Sequence, residues 1–139
     1  MTTSVLANVT CVAVAGRGLL IEGAPGSGKS SLALALIDRG AVLVGDDGVR
    51  LETHGTRLWA LPPPTIAGRL EIRGVGIACL PDTSAPLCLA LALGDCGARS
   101  PEPATRQIGA VSIPQLNLPT GCDALRAEWA LALHGLPLP

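Results

Sequence analysis

The chain has 139 residues and a formal net charge of −1 at pH 7, with no Phe or Tyr and only Trp59 and Trp129 as large aromatics. That length suits one compact domain over residues 1–139, with a core built from Leu, Val, Ile and Ala. Near-neutral charge gives no general attraction to nucleic acid or an anionic membrane, and scarce aromatic rings offer no platform for stacking bases, so both partner classes are excluded as expectations.

In chain order, Val9 to Ala15 and Gly18 to Glu22 are rich in Val, Leu and Ile and predict a hairpin turning at Ala15-Gly16-Arg17-Gly18. Lys29 to Arg39 consists of good helix formers, apolar nearly all round and therefore expected to be largely buried, with Gly40 placed to end the helix. Ala41 to Gly45 reads as a short buried strand ending at Asp46-Asp47. Val49 to Glu52 and Arg57 to Leu61 read as strands joined by Thr53-His54-Gly55-Thr56, after which Pro62-Pro63-Pro64 breaks regular structure. Leu70 to Leu80 alternates loosely around a turn at Arg73-Gly74-Val75-Gly76, and Leu87 to Leu93 is a core strand. Gly94 to Thr105 reads as an exposed loop, and Ile108 to Leu118 as a strand. Ala124 to His134 has helical spacing that would pack Leu125, Trp129 and Leu133 along one face, and the final Gly-Leu-Pro-Leu-Pro should fray.

Cys11, Cys79, Cys88, Cys96 and Cys122 are odd in number and include no C-x-x-C pair, so neither a complete disulfide framework nor a zinc site is expected and buried thiols are. The N-terminus lacks the basic start and apolar stretch of a secretory signal, and no apolar run approaches membrane-spanning length; a cytoplasmic location is the expectation.

Gly23-Ala24-Pro25-Gly26-Ser27-Gly28-Lys29-Ser30 fits the phosphate-loop pattern G-x-x-x-x-G-K-[ST], with a strand expected before it and a helix after. Glycines let several backbone N–H groups point at one anion, Lys29 adds a cation, and the Ser30 hydroxyl suits the shell of a phosphate-bound Mg²⁺. A nucleoside triphosphate is the default ligand. Asp46 and Asp47 at a strand's C-terminal edge have the chemistry to hold Mg²⁺ or activate a nucleophile, although an isolated D-D-G is also a turn. Glu71 and Arg73, two apart on one strand face, read by themselves as an exposed ion pair.

Three segments together resemble the catalytic domain of bacterial HPr kinase/phosphorylase. They are EGAPGSGKSSLALALIDRGAVLVGDD from Glu22 to Asp47, IAGRLEIRGVGI from Ile66 to Ile77, and the strand Val9 to Ala15. Arg99-Ser100-Pro101-Glu102-Pro103 and Ile113-Pro114 extend the likeness weakly. The resemblance implies an α/β P-loop nucleotide-binding domain of the HPr kinase / phosphoenolpyruvate carboxykinase-like type, a central mixed sheet with flanking helices. It also implies phosphoryl transfer from ATP to a serine of an HPr-type phosphocarrier of the phosphotransferase system, reversal by inorganic phosphate, and a homo-oligomer. Gly23 to Ser30 and Ser31 would bind nucleotide, Lys29 among them holding the β and γ phosphates; Ser30 and Glu71 would hold Mg²⁺. Asp47 would be the general base, Arg73 would stabilise the transferring phosphoryl group, and Arg99 aligns with a catalytic arginine.

Two positions depart from that family's pattern. Asn8 stands where the family usually has His, and Ser31 where an acidic residue commonly follows G-K-S. Asn does not titrate near neutral pH, and one fewer negative charge at a helix start alters a Mg²⁺ environment. These departures favour a second expectation, a catalytically weak nucleotide sensor docking on phosphotransferase-system proteins. A small-metabolite kinase is a third, with the Gly94 to Thr105 region as its only candidate lid. The resemblance is to the short proteobacterial form, so the amino-terminal domain of longer relatives is not expected here.

Overall fold

The computed structural model describes residues 3–94, 102 and 104–139. In chain order the strands are β1 (Thr3–Ala7), β2 (Thr10–Val14), β3 (Arg17–Gly23), β4 (Val42–Gly45), β5 (Gly48–His54), β6 (Arg57–Leu61), β7 (Arg69–Ile72), β8 (Gly76–Cys79), β9 (Ala85–Gly94), β10 (Ala104–Ile108) and β11 (Val111–Pro119). Helix α1 (Lys29–Asp38) follows β3, and α2 (Ala124–His134) follows β11. The fold is α/β with a mixed central sheet: the main path is β1-β5-β6-β9-β3-β2-β4, and β9 pairs in parallel with both β3 and β11. β7 and β8 form a separate ribbon.

The β2–β3 hairpin turns through Ala15 and Gly16, both at positive φ (51° and 84°), the geometry whose twist matches the flanking strands. It delivers β3 into the middle of the sheet, between β2 and β9. α1 ends in a Schellman arrangement: Gly40 N–H donates to Ile37 O and Ala41 N–H to Leu36 O, each at 3.0 Å.

A bulge in β9 divides the core. Gly18 pairs with Leu87 but Leu19 with Leu89, leaving Cys88 as the extra residue. Leu89, Leu91 and Leu93 therefore join Leu19, Ile21 and the buried residues of both helices in one cluster, while Leu87 joins Leu20, Val49, Leu51 and Ile113 in another. Both helices thus pack against one face of the sheet. The unpaired Cys88 carbonyl accepts the Leu136 N–H at 2.8 Å.

That contact corrects the expected fraying of the last residues. Arg17 also donates to the carbonyls of Leu136 (2.7 and 3.0 Å) and Leu131 (3.2 Å), so the segment after α2 is tied to the start of β3. Three further expectations change. Leu125, Trp129 and Leu133 are exposed (53%, 59% and 72%), because α2 turns its small residues Ala124, Ala127 and Ala130 with Leu131 to the sheet, where a short side chain allows close approach. α1 buries only Leu32, Ala33 and Leu36, since the sheet covers one side of it. Ala104 and Thr105, expected in a loop, begin β10, which pairs with β11. Of the cysteines, Cys11 and Cys88 are buried, Cys79 is exposed and Cys122 is intermediate, all as free thiols; Cys96 lies outside the described residues. No helix among the described residues is long and apolar enough to cross a membrane.

Asp123 caps α2: its carboxylate accepts the Arg126 N–H at 2.8 Å and pairs with the Arg126 guanidinium. The backbone hydrogen bond from Arg126 is the main cause holding its carboxyl below the ordinary 3.8. A depressed folded value stabilises the fold above the unfolded value and is lost as pH falls through it. Asp123→Ala should therefore lower the melting temperature at neutral pH, with the gap closing as the pH drops below 3.8. A gap of constant size across that range, read by circular dichroism, would contradict this.

Candidate functional site

Gly23 to Ser30 connects the end of β3 to the start of α1. The loop is held from below. Ser27 N–H donates to Ala24 O at 3.0 Å, and Gly121 N–H, in the turn after β11, donates to Ser27 O at 3.2 Å. A Cβ on Gly23 would lie 2.5 Å from Ser27 Oγ and 2.9 Å from the Leu93 carbonyl, so only glycine fits against β9 there. Gly28, at φ 99°, caps α1 without a side-chain hydrogen bond, and the first turn carries no acidic residue. Its N-terminal amides keep their positive end unneutralised. Lys29 Nζ donates to Gly23 O (2.8 Å) and Ala24 O (3.3 Å), folding across the loop.

A pocket of about 370 Å³ opens at this helix end. Its lining brings Gly28, Lys29, Ser30 and Ser31 together with Asp46, Asp47, Glu71 and Arg73, and the exposed loop residues Pro25 and Gly26 complete the rim. Gly23, Ala24 and Ser27 lie outside that lining: Ser27 is buried beneath the loop, Gly23 is half-buried against β9 and Ala24 is exposed. Arg99 lies outside the described residues.

The two adjacent aspartates differ sharply. Asp46 is buried and accepts hydrogen bonds at Oδ1 from Ser30 Oγ (2.8 Å) and Thr10 Oγ1 (3.0 Å), while Glu71 N–H approaches Oδ2 at 3.4 Å. Asp47 is exposed, with φ 62°, a left-handed backbone that Asp and Asn tolerate better than most residues. Its carbonyl accepts the N–H of Asn8 at 3.0 Å, and Asn8 has φ 62° as well. The departure at Asn8 is therefore a neighbour of Asp47. No ion pair joins Glu71 and Arg73 among the described residues, although the β7–β8 ribbon presents both to the pocket.

Ser30, Asp46 and Glu71 offer hydroxyl and carboxylate oxygens, the donor type of a hard cation. Among the described residues no three His, Cys, Asp or Glu side chains form a metal-holding group. This set fits Mg²⁺ in its usual manner, with one or two carboxylates and the remaining positions left to phosphate and water oxygens. Sequence reasoning missed Thr10, a hydroxyl within an apolar strand, and the pair Arg106–Glu22. Arg106 clamps Glu22, the residue before the loop, through two bonds of 2.9 and 3.1 Å. No spacing rule could have joined residues so far apart.

Residues 1–82 match the family model of the HPr Serine kinase C-terminal domain, a span that includes every described pocket residue. The chain belongs to that family. Among its relatives, the HPr kinase/phosphorylase of Clostridium botulinum (strain Eklund 17B / Type B) is 51% identical over 67 residues, covering 48% of this chain and 22% of that protein. The HPr kinase/phosphorylase of Mycoplasmopsis pulmonis is 40% identical over 68 residues, covering 49% and 22%. The chain thus spans about a fifth of the length of the curated relatives it matches. The solved Hpr(Ser) kinase/phosphatase from Coxiella burnetii superposes with a TM-score of 0.81 at 27% identity, covering 96% of each chain. Likeness to an HPr kinase fold therefore continues through β9, β11 and α2, beyond the matched family segment.

Proposed function

We propose that residues 1–139 form one phosphoryl-transfer domain, an ATP-dependent serine kinase acting on an HPr-type phosphocarrier. The observation that carries this reading is a single pocket lined by the glycine-rich loop, both aspartates, Glu71 and Arg73. Two of the three Lys29 N–H groups are used by loop carbonyls, and the third, with the α1 amides, would meet the phosphates. Asp47 would accept the proton of the acceptor serine as its oxygen bonds to the γ-phosphorus and the bond to the ADP oxygen breaks; in phosphorolysis Asp47 would return a proton. Arg73 would stabilise charge on the transferring group. Mg²⁺ bound by Ser30 and Glu71 would neutralise phosphate charge. The preference for ATP rests on the family.

Asn8 beside Asp47 and Ser31 at the helix start favour one second reading, a nucleotide sensor without transfer. Incubation with γ-labelled ATP, Mg²⁺ and the organism's own HPr-type protein decides between them. Label on a serine of that protein is the expected result, whereas tight ATP binding with no label transferred would leave only the sensor.

A further inference from the structure

Thr10 is a hydroxyl where a sheet interior calls for an apolar side chain. It is 1% exposed at the start of β2, between the equally buried Val9 just before the strand and Cys11 within it. What it meets is set by an irregularity in the β2–β4 pairing. Val12 faces Leu43, but Cys11 faces Gly45, so Val44 is the extra residue of a bulge. The shifted register, continued by one position, sets Thr10 opposite Asp46. Without the bulge it would stand opposite Gly45, which has no side chain to accept its hydroxyl.

Thr10 Oγ1 donates to Asp46 Oδ1 at 3.0 Å, the same oxygen that accepts Ser30 Oγ at 2.8 Å. A carboxylate oxygen has two acceptor sites, so these hydroxyls fill Oδ1. Oδ2 is left with the long Glu71 N–H contact at 3.4 Å, on a residue that lines the pocket. We propose that Thr10 is a positioning residue: it fixes the Asp46 carboxylate so that Oδ1 orients the Ser30 hydroxyl and Oδ2 remains open to the cation that accompanies the phosphates.

The bulge gives this contact its direction, and the β2 backbone gives it rigidity, since β2 is paired on both edges. A valine would have nearly the same shape but would take one hydrogen-bond donor from the buried Asp46 Oδ1, so what the hydroxyl adds here is that bond. Ser30 would then lose the partner that holds its acceptor in place, and Asp46 would be free to turn. Groups that orient a metal site from behind in this way change cation affinity more than they change the rest of the ligand contacts.

This inference rests on the nucleotide reading above, and the experiment separates the two. ATP binding is measured calorimetrically at stepped Mg²⁺ concentrations for wild type, Thr10→Val and Thr10→Ser. In Thr10→Val the Mg²⁺ concentration for half-maximal tightening should rise about tenfold. Affinity without Mg²⁺ should stay at the wild-type level, and Thr10→Ser should restore the wild-type response. Thr10→Ala supplies the same comparison if Thr10→Val does not fold. A Thr10→Val protein with the wild-type Mg²⁺ response overturns the inference alone. So does a Thr10→Ser protein as impaired as Thr10→Val, or an equal loss of affinity without Mg²⁺, which would mark a purely structural hydroxyl. Wild-type protein that binds no ATP, or binds it with no response to Mg²⁺, overturns the nucleotide reading and this inference with it.

Discussion

Asp47→Asn is expected to slow phosphoryl transfer to an HPr-type protein by about 10²–10⁴-fold, the usual contribution of a positioned general base. ATP affinity and folding stability should stay at wild-type values. The amide keeps the shape of the carboxylate but does not take up the acceptor's proton. Asp47 is exposed, so its replacement leaves no buried group unpaired, and Asn accepts the left-handed backbone at φ 62° as readily as Asp. Label transfer from γ-labelled ATP and calorimetric ATP binding provide the two readings. Equal transfer rates for Asp47→Asn and wild type would remove Asp47 from the role of base. The same exchange at Asp46 would lack this selectivity, because Asp46 is buried and receives the Ser30 and Thr10 hydroxyls.

Leu89→Ala should destabilise the fold by about 2–5 kcal/mol, the range for a large-to-small change in a core that does not collapse around the vacancy. Leu89 is 0% exposed, pairs with Leu19 of β3, and belongs to the cluster beneath both helices. β9 is hydrogen-bonded to β3 on one edge and to β6 and β11 along the other, so its backbone has little freedom to close a cavity. Urea unfolding followed by circular dichroism gives the value, and a loss below about 1 kcal/mol would mean that this part of the core relaxes freely. The site shares the consequence, since β3 carries the loop and its pairing with β9 brings Gly23 against Leu93.

Local chemistry was readable wherever it depended on neighbours in the chain. The G-x-x-x-x-G-K-[ST] spacing located a loop that does lie between a strand and a helix, and the limits of α2 were visible in its helical spacing. Which side of α2 is covered was not. Leu125, Trp129 and Leu133 do share a face, but periodicity reports only that residues lie together, and the alanines opposite were needed for close approach to the sheet. The tail after α2 reads as a frayed Leu-Pro segment until the β9 bulge supplies a free carbonyl at Cys88.

The site divides along the same line. The phosphate-loop motif, the acidic pair after β4 and, through resemblance, the Glu71-Ile72-Arg73-Gly74 segment and the family could be read from residue order. Their assembly into one pocket, the unequal surroundings of Asp46 and Asp47, the contact of Asn8 with Asp47 and the clamp of Arg106 on Glu22 emerge from long-range packing. The physical reason is register. A single extra residue at Val44 or Cys88 changes which side chains meet across a sheet while leaving the apolar character of each strand unaltered.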